Sequence, residues 1–263
     1  MNAHLFFNLL QHVTAPAPRF LMRAALIAEM LGRLDYPVRR MVEIGPGLGD
    51  LASWLHNQWP ETALDLYEIS PESAYCLKTR FSSSEVAVRQ CDFFLEPPAK
   101  RYDLIVACEV LEHIEKDAEA VQILADRLEH NGTLVISVPA FMRNWQAVDV
   151  YAGHVRRYER RDLLEKMHAA ALEPILFWSY GFPVTNLLYP LRQAYYAWHN
   201  RCGPISPDVA TRRSGYDRRL VKCFGKNAVA LGIRPMLFIQ KLALQRDLGD
   251  GFLVQARKRL PHE

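Results

Sequence analysis

Between residues 38 and 140, short apolar segments alternate with helix-patterned stretches, and this rhythm limits the chain to few folds. "RRMVEIG", "ALDLYEI", "EVAVRQCD", "YDLIVACEV" and "GTLVISVPA" are rich in Val, Ile and Leu and bounded by Gly, Asp or Pro. Helical patterns are predicted over 49–59, 71–81 and 115–130, the last closing at His130-Asn131-Gly132, a common helix stop. Strands alternating with helices require right-handed crossovers and a mostly parallel sheet covered on both faces. After Pro139 the rhythm changes. A loop to about Tyr158 leads into the helical "RRDLLEKMHAAAL", a strand-like "EPILFWSYGF" and, near the end, an alternating "DGFLVQARKRL" that can close the sheet. The expectation is a doubly wound α/β sheet with helical caps. Residues 1–37 would form an N-terminal cap, 38–181 the core, 182–247 a cap insertion, and 248–263 the last strand and tail.

The first strand runs into "VEIGPGLGD", with glycines at 45, 47 and 49, and a helix resumes at once with Leu51, Ala52 and Trp54. A strand–glycine turn–helix junction lets backbone approach a ligand closely. Its spacing is G-P-G-L-G rather than G-x-G-x-x-G, and Pro46 removes a donor that a diphosphate would need. Glu43 precedes the turn inside the strand. Glu68 ends the second strand and can accept hydrogen bonds from both hydroxyls of a ribose. Asp92 and Phe93 follow the third strand, where a carboxylate beside an aromatic ring suits an adenine. The three features describe a nucleoside-binding edge without a diphosphate cradle.

Composition excludes several classes. The 263 residues are 50% hydrophobic and 23% charged with a net charge of +3, so nucleic-acid binding is not announced by the total. Five scattered cysteines, none in CxxC spacing, argue for a reducing compartment and against a zinc site or disulfide framework. The N-terminus lacks a basic leader, and no apolar run is long enough for a membrane span. A cytoplasmic protein is expected.

"VEIGPGLGD", "YEIS", "QCDFF" and "YDLIVACEVLEHI" resemble, in order and spacing, the motifs of class I S-adenosylmethionine-dependent methyltransferases. "DLIVACEVLEHI" is most similar to small-molecule branches such as the ubiquinone-type enzymes. The resemblance covers roughly 38–178 and the last strand, and "GHVRRYERRDLLEKM" resembles a segment that follows the fifth strand in many members. It implies a Rossmann-like sheet of seven strands and S-adenosylmethionine as cofactor. Gly45 and Gly47 would lie against its methionine part, with Glu43 and Gly49 as further cofactor-binding residues of the turn; Glu68 would hold its ribose, Asp92 and Phe93 its adenine, and Cys108 and Glu109 would border the methyl-donor end.

Methyl transfer is an in-line displacement in which the protein mainly positions the reactants. A hydroxyl or protonated amine acceptor must also lose a proton, so a histidine near the acceptor is the expected base. His154 in "YAGHVRRY" is preferred and His113 is the runner-up. Arg156 and Arg157 would keep His154 neutral. Tyr151, Arg157 and Tyr158 are candidates for orienting substrate. No metal site is expected, because Glu109 is the sole acid in "ACEV" and "SVPAF".

"PVTNLLYPLRQAYYAWHN" and "PMLFIQKLAL" add apolar faces, and 201–226 holds seven Lys or Arg against two Asp. These regions read either as a packed cap with a solvated rim or as a lid over a lipophilic pocket. In the second case the rim would attract an anionic acceptor or make peripheral contact with an anionic membrane or lipid. Nucleic acid is disfavoured, because no [DNS]-P-P-[YF] turn follows the fourth strand. The leading reading is O-methylation of a small hydrophobic or anionic acceptor. The alternatives are N- or C-methylation of a lipid-like or quinone-like acceptor, and a non-catalytic cofactor-binding module. A nicotinamide-dependent oxidoreductase is disfavoured by the glycine spacing and Pro46.

Overall fold

A computed structural model describes residues 3–14, 17–82, 85–97, 100–199 and 226–259. Its strands are β1 (Arg40–Ile44), β2 (Ala63–Tyr67), β3 (Ala87–Arg89), β4 (Tyr102–Cys108), β5 (Leu128–Pro139), β6 (Leu172–Tyr180) and β7 (Gly251–Lys258). They form one sheet of seven in the order β3-β2-β1-β4-β5-β7-β6. Strands β1 to β5 pair in parallel, with Val42 opposite Ile105 and Ile105 opposite Leu134. Strand β7 runs antiparallel between β5 and β6. The expected doubly wound architecture is therefore present.

Side-chain alternation along the central strands fills two cores. Met41, Leu104, Val106 and Val135 pack on one face with α1 (Ala3–His12), α2 (Pro18–Leu31), α3 (Asp50–Gln58) and α4 (Pro71–Arg80). Val42, Ile44, Ile105, Ala107, Leu134 and Ile136 pack on the other with α5 (Asp117–Asp126) and α7 (Arg160–Ala169). Such two-sided burial is why these strands read as continuous apolar runs. Pro18 opens α2, where a missing N–H costs nothing. Helix α2 is buried over most of its length because α10 (Lys226–Ala243) covers it, with Gln240 donating to the Met22 carbonyl at 3.2 Å. Between β5 and α7 lies α6 (Ala147–Ala152), and α8 (Val184–Leu187) and α9 (Tyr189–His199) follow β6.

One element departs from the sequence reading. The helix expected over 115–130 ends at Asp126, and β5 already begins at Leu128, opposite Tyr102. The register resumes at Leu104 opposite Thr133, so 129–132 bulge outward with Asn131 at φ 62°. Asn and Gly serve any tight reversal, and here they make a bulge instead of a helix stop. The basic stretch 201–226 lies outside the described residues except for Lys226. Among the described residues, no helix is long and apolar enough to cross a membrane.

Candidate functional site

A cavity of about 270 Å³ opens at the carboxyl edge of β1, β4 and β5. Open α/β sheets bind ligands at this edge. Its floor is the glycine turn. Gly45, Gly47 and Gly49 have φ of 67°, 57° and 76°, values that L side chains rarely adopt. A Cβ on Gly45 would press Val110 at 3.0 Å, and one on Gly49 would overlap Leu77 at 2.6 Å.

The three glycine N–H groups all have partners inside the protein. Gly45 donates to the Tyr67 carbonyl at 2.9 Å, Gly49 to the Pro46 carbonyl at 2.9 Å, and Gly47 to Glu68 Oε2 at 3.0 Å. The N-terminus of α3 carries the buried Asp50, itself paired with Arg80 at 2.9 Å. The three glycine amides of the turn are thus engaged within the protein. Glu43 is the exception to this saturation: it lines the cavity, and its buried Oε2 has no hydrogen-bond partner. Burial, with Asp50 and Glu68 adding to it, pushes its carboxyl up to about 8.

Other expected cofactor residues fall in different places. Cys108 and Glu109 line the cavity at the end of β4. Glu68 stands behind the turn, its second oxygen accepting from Ser70 N at 2.8 Å, and burial raises its pKa. Asp92 accepts from Phe94 N at 2.9 Å. Phe93 is 1% exposed and packs in the core against Tyr67, Phe94 and Tyr102, with Arg127 over its ring. The apolar ring went to the core, so the assignment of Phe93 to a ligand face is corrected.

The opposite wall is built of charge. Glu109, at φ 58°, receives Arg19, Arg23 (3.3 Å), Ser137 Oγ (3.0 Å) and the Tyr180 hydroxyl (2.8 Å). Burial opposes its ionisation, but the two arginines outweigh that and hold its pKa far below the usual carboxylate range. Asp250 bridges Arg19 (3.3 Å) and Arg192 (3.1 Å). Glycines flank it for a steric reason: a Cβ at 249 would lie 2.1 Å from the Tyr180 carbonyl, and one at 251 would lie 2.4 Å from its ring.

On the α6 side, Asp149 is buried and accepts from Arg157 Nε (3.0 Å) and Nη2 (2.8 Å) and from Gln146 N (2.7 Å). It also meets His154 Nδ1 at 2.8 Å. Burial alone would raise its pKa, but the His154 and Arg157 bonds bring it below the usual range. His154 and His113 both line the cavity, with ring centroids 4.9 Å apart at 79°. Burial, then the neighbouring His154, lowers the His113 pKa to about 4. Arg156 and Arg157, expected to act on His154, face Asp117 (2.9 Å) and Asp149 instead.

Tyr151 lines the cavity. Arg157 reaches it too, but its guanidinium is committed to Asp149 and to the Ala140 carbonyl at 3.1 Å. Tyr158 is 0% exposed, its hydroxyl bonded to the Leu111 carbonyl (3.1 Å) and Asp117 (3.0 Å), so its substrate role is corrected to a structural one. Sequence reasoning missed Arg19, Arg23, Glu112, Asp149, Arg192 and Asp250. For Asp149 and Glu112 a signal existed, since they stand five residues before His154 and one before His113. For Arg19 and Asp250, 231 residues apart, none did.

A methyltransferase domain family matches residues 12–176 of the chain. A malonyl-[acyl-carrier protein] O-methyltransferase of Paenibacillus sp. (strain JDR-2) is 28% identical over 134 residues, 47% of this chain and 49% of that one. A trans-aconitate 2-methyltransferase of Mycobacterium marinum is 24% identical over 101 residues, 38% of this chain and 37% of that one. The chain thus spans half or less of the length of these curated relatives. The N-methyltransferase NodS of Bradyrhizobium japonicum, solved with S-adenosyl-l-homocysteine, superposes with TM-score 0.54 at 16% identity, covering 93% of this chain and 89% of that one. A chain of the solved complex between the Haloferax volcanii Trm112 methyltransferase activator and the "putative methyltransferase" gives TM-score 0.60 at 14% identity, covering 93% of this chain and 92% of that one. At these identities the structural likeness concerns the fold.

Proposed function

The chain belongs to the methyltransferase domain family, and on that premise we propose that it transfers a methyl group from S-adenosylmethionine to an oxygen of a small, anionic and partly apolar acceptor. The observation that carries this reading is one cavity with two unlike walls. At the glycine floor the three glycine amides are engaged and Glu43 Oε2 has no hydrogen-bond partner, which suits a ligand bearing positive charge. Gly45, Gly47 and Cys108 would lie along the methionine part of the cofactor, with Gly49 shaping the turn. Glu68 would take the ribose with the lone pair left by the backbone bonds from Gly47, Ser70 and Ile69. Asp92 would take the adenine amino group.

The far wall supports an anionic acceptor. Arg19, Arg23, Arg157 and Arg192 gather there with Glu109, Asp149 and Asp250, while the cavity's fourth acid, Glu43, lies at the glycine floor with its pKa pushed up to about 8 by burial. Malonyl-[acyl-carrier protein] and trans-aconitate, the acceptors in the relatives' names, fit such a wall. Tyr151, Tyr196 and Val148 supply its apolar part.

The bound cofactor supplies a methyl carbon already activated by its sulfonium. The chain's own task is to hold the acceptor oxygen in line and exclude water, worth about 7–11 kcal/mol when the geometry is good. A carboxylate acceptor needs no base. A hydroxyl does, and His154, which lines the cavity with Nδ1 held by Asp149 and Nε2 3.8 Å from Glu112, is the candidate for it.

Calorimetry with S-adenosylmethionine, then incubation with methyl-labelled cofactor and a metabolite extract, tests the reading. The expected result is stoichiometric cofactor binding and a labelled acidic ester or ether. A folded protein that binds no S-adenosylmethionine overturns it.

A further inference from the structure

The cap that follows β6 is charged unlike the rest of the chain. Residues 182–246 hold eleven Lys or Arg and two Asp, whereas the remaining residues hold twenty-one Lys or Arg against twenty-seven Asp or Glu. The net charge of +3 therefore conceals a strongly basic cap on an acidic body. Six of the cap's basic residues, with both of its acids, belong to the segment that is tied to α9 at one end and to α10 at the other.

The described helices of the cap turn apolar side chains to solvent. Leu187 of α8 is 79% exposed and Leu191 of α9 is 68% exposed. On α10, Phe238 is 66% and Leu242 67% exposed, and Ile239 stands between them. Positions 235, 238, 239 and 242 repeat at the spacing of a core-facing helical stripe. Yet the core side of α10 is already occupied: Ile233 and Leu237 are buried with α2, and Gln240 reaches the Met22 carbonyl. Helix α10 is thus apolar on two sides, and one of them faces water.

Helix α9 is two-sided in another way. Arg192 and Tyr196 line the cavity and Gln193 accepts from Ala147 N at 2.8 Å, whereas Leu191, Ala194 and Trp198 make its exposed side. The helices are neighbours, because α8 and α10 both pack on α2 and Gly181, just before α8, donates to Gln240 at 2.7 Å.

Exposed Leu and Phe beside a surplus of Lys and Arg suit the surface of an anionic bilayer. Nucleic acid would meet the charge but gains nothing from Leu187, Leu191 and Leu242. A second copy of this chain would set one basic cap against another. We propose that the outer faces of α8, α9 and α10 dock on an anionic lipid surface. The apolar stripes enter the headgroup region, and the basic residues of 182–246 meet lipid phosphates. Arg192 and Tyr196 then stand about one helix diameter, roughly 10 Å, from the lipid. An amphiphilic acceptor held in that surface comes within reach of the cavity, an extension that rests on the methyltransferase reading.

Sedimentation of the full-length, tag-free protein with vesicles tests the docking and needs neither cofactor nor turnover. Vesicles of phosphatidylcholine and phosphatidylglycerol in equal parts should carry the protein down at low salt, and phosphatidylcholine alone should not. Replacing Phe238 and Leu242 together with Gln leaves the charge untouched and should weaken binding at least about tenfold. Both side chains are exposed, so urea denaturation of this variant should match the wild type. Replacing Arg212, Arg213, Arg218 and Arg219 with Gln should cost at least about tenfold at low salt and less at high salt. Wild-type protein that stays in the supernatant at low salt overturns the proposal. Unchanged binding in the Phe238→Gln, Leu242→Gln variant overturns it as well, and binding of single-stranded RNA with the same indifference would assign the cap to nucleic acid. S-adenosylmethionine calorimetry is a separate reading, so failure of the docking surface and failure of the methyltransferase assignment are distinguishable.

Discussion

The glycine turn and the loop from Asp149 to Tyr158 face one cavity but are finished differently. In the turn, the three glycine N–H groups are consumed by the protein itself, and what remains for a ligand is shape and one carboxyl, Glu43. In the loop, the backbone is a scaffold for side chains: Asp149 alone gathers Arg157, His154 and Gln146, while the buried Glu112 carboxyl has His154 Nε2 no nearer than 3.8 Å. A saturated backbone makes a rigid floor that selects by fit. A wall of buried, partly unpaired charge selects by chemistry and carries a stability cost until a ligand arrives.

If Asp149 is the keystone of that wall, its loss should produce the largest effect. The side chains of Asp149 and Arg157 are 0% and 2% exposed, so Asp149→Ala strands a guanidinium in the interior. Removing one partner of such a pair costs about 3–5 kcal/mol. Urea denaturation should show a loss of that size. A change below about 1 kcal/mol would mean that water reaches Arg157, and the contrast between floor and wall would fail.

This contrast also separates what the sequence told from what it withheld. The glycine turn, the strands and the closing strand were legible because each is a local pattern, apolar run or turn residue read within ten positions, whereas the closing strand's antiparallel direction came only from the structure. His113 and His154 were legible as chemistry but not as neighbours. Glu112 was passed over although it directly precedes His113, because that adjacency does not say that an acid in "LEHI" is buried; only packing decides that. Phe93 and Tyr158 were misplaced for a related reason, since an aromatic beside a motif serves core and ligand equally well until packing decides. The same ambiguity turned Asn131-Gly132 from a bulge into an expected helix stop.

Glu43 gives an intermediate effect with a definite sign. Its pKa is about 8 in the folded chain against roughly 4.3 for a free glutamate. Below pH about 4.3 both states are protonated and nothing changes. From there to about 8 the folded state keeps a proton that the unfolded state sheds, so stability falls as pH rises, by at most about 1.4 kcal/mol per unit. Glu43→Gln should flatten that fall. A ligand of positive charge prefers the ionised carboxyl, so wild-type affinity for S-adenosylmethionine should climb from pH 6 to 8 relative to the variant. The comparison with the variant cancels the ligand's own titration. Parallel curves would place the ligand's charge elsewhere and leave the floor selecting by shape alone.

Tyr158 should give the smallest effect and checks the boundary of the wall. Its hydroxyl donates to the Leu111 carbonyl and lies 3.0 Å from Asp117. Both acceptors have other partners: Ile114 N reaches the Leu111 carbonyl at 3.1 Å, and Arg156 reaches Asp117 at 2.9 Å. Tyr158→Phe therefore strands nothing and forfeits only the net value of a hydrogen bond, about 1 kcal/mol. The ring stays in the core, because phenylalanine fills the same space. KM for the acceptor should not move, since a residue with 0% exposure cannot touch it. A KM raised tenfold with stability intact would put Tyr158 back at the substrate face, and would mean that the loop opens further than its hydrogen bonds to Leu111, Glu112 and Glu115 allow.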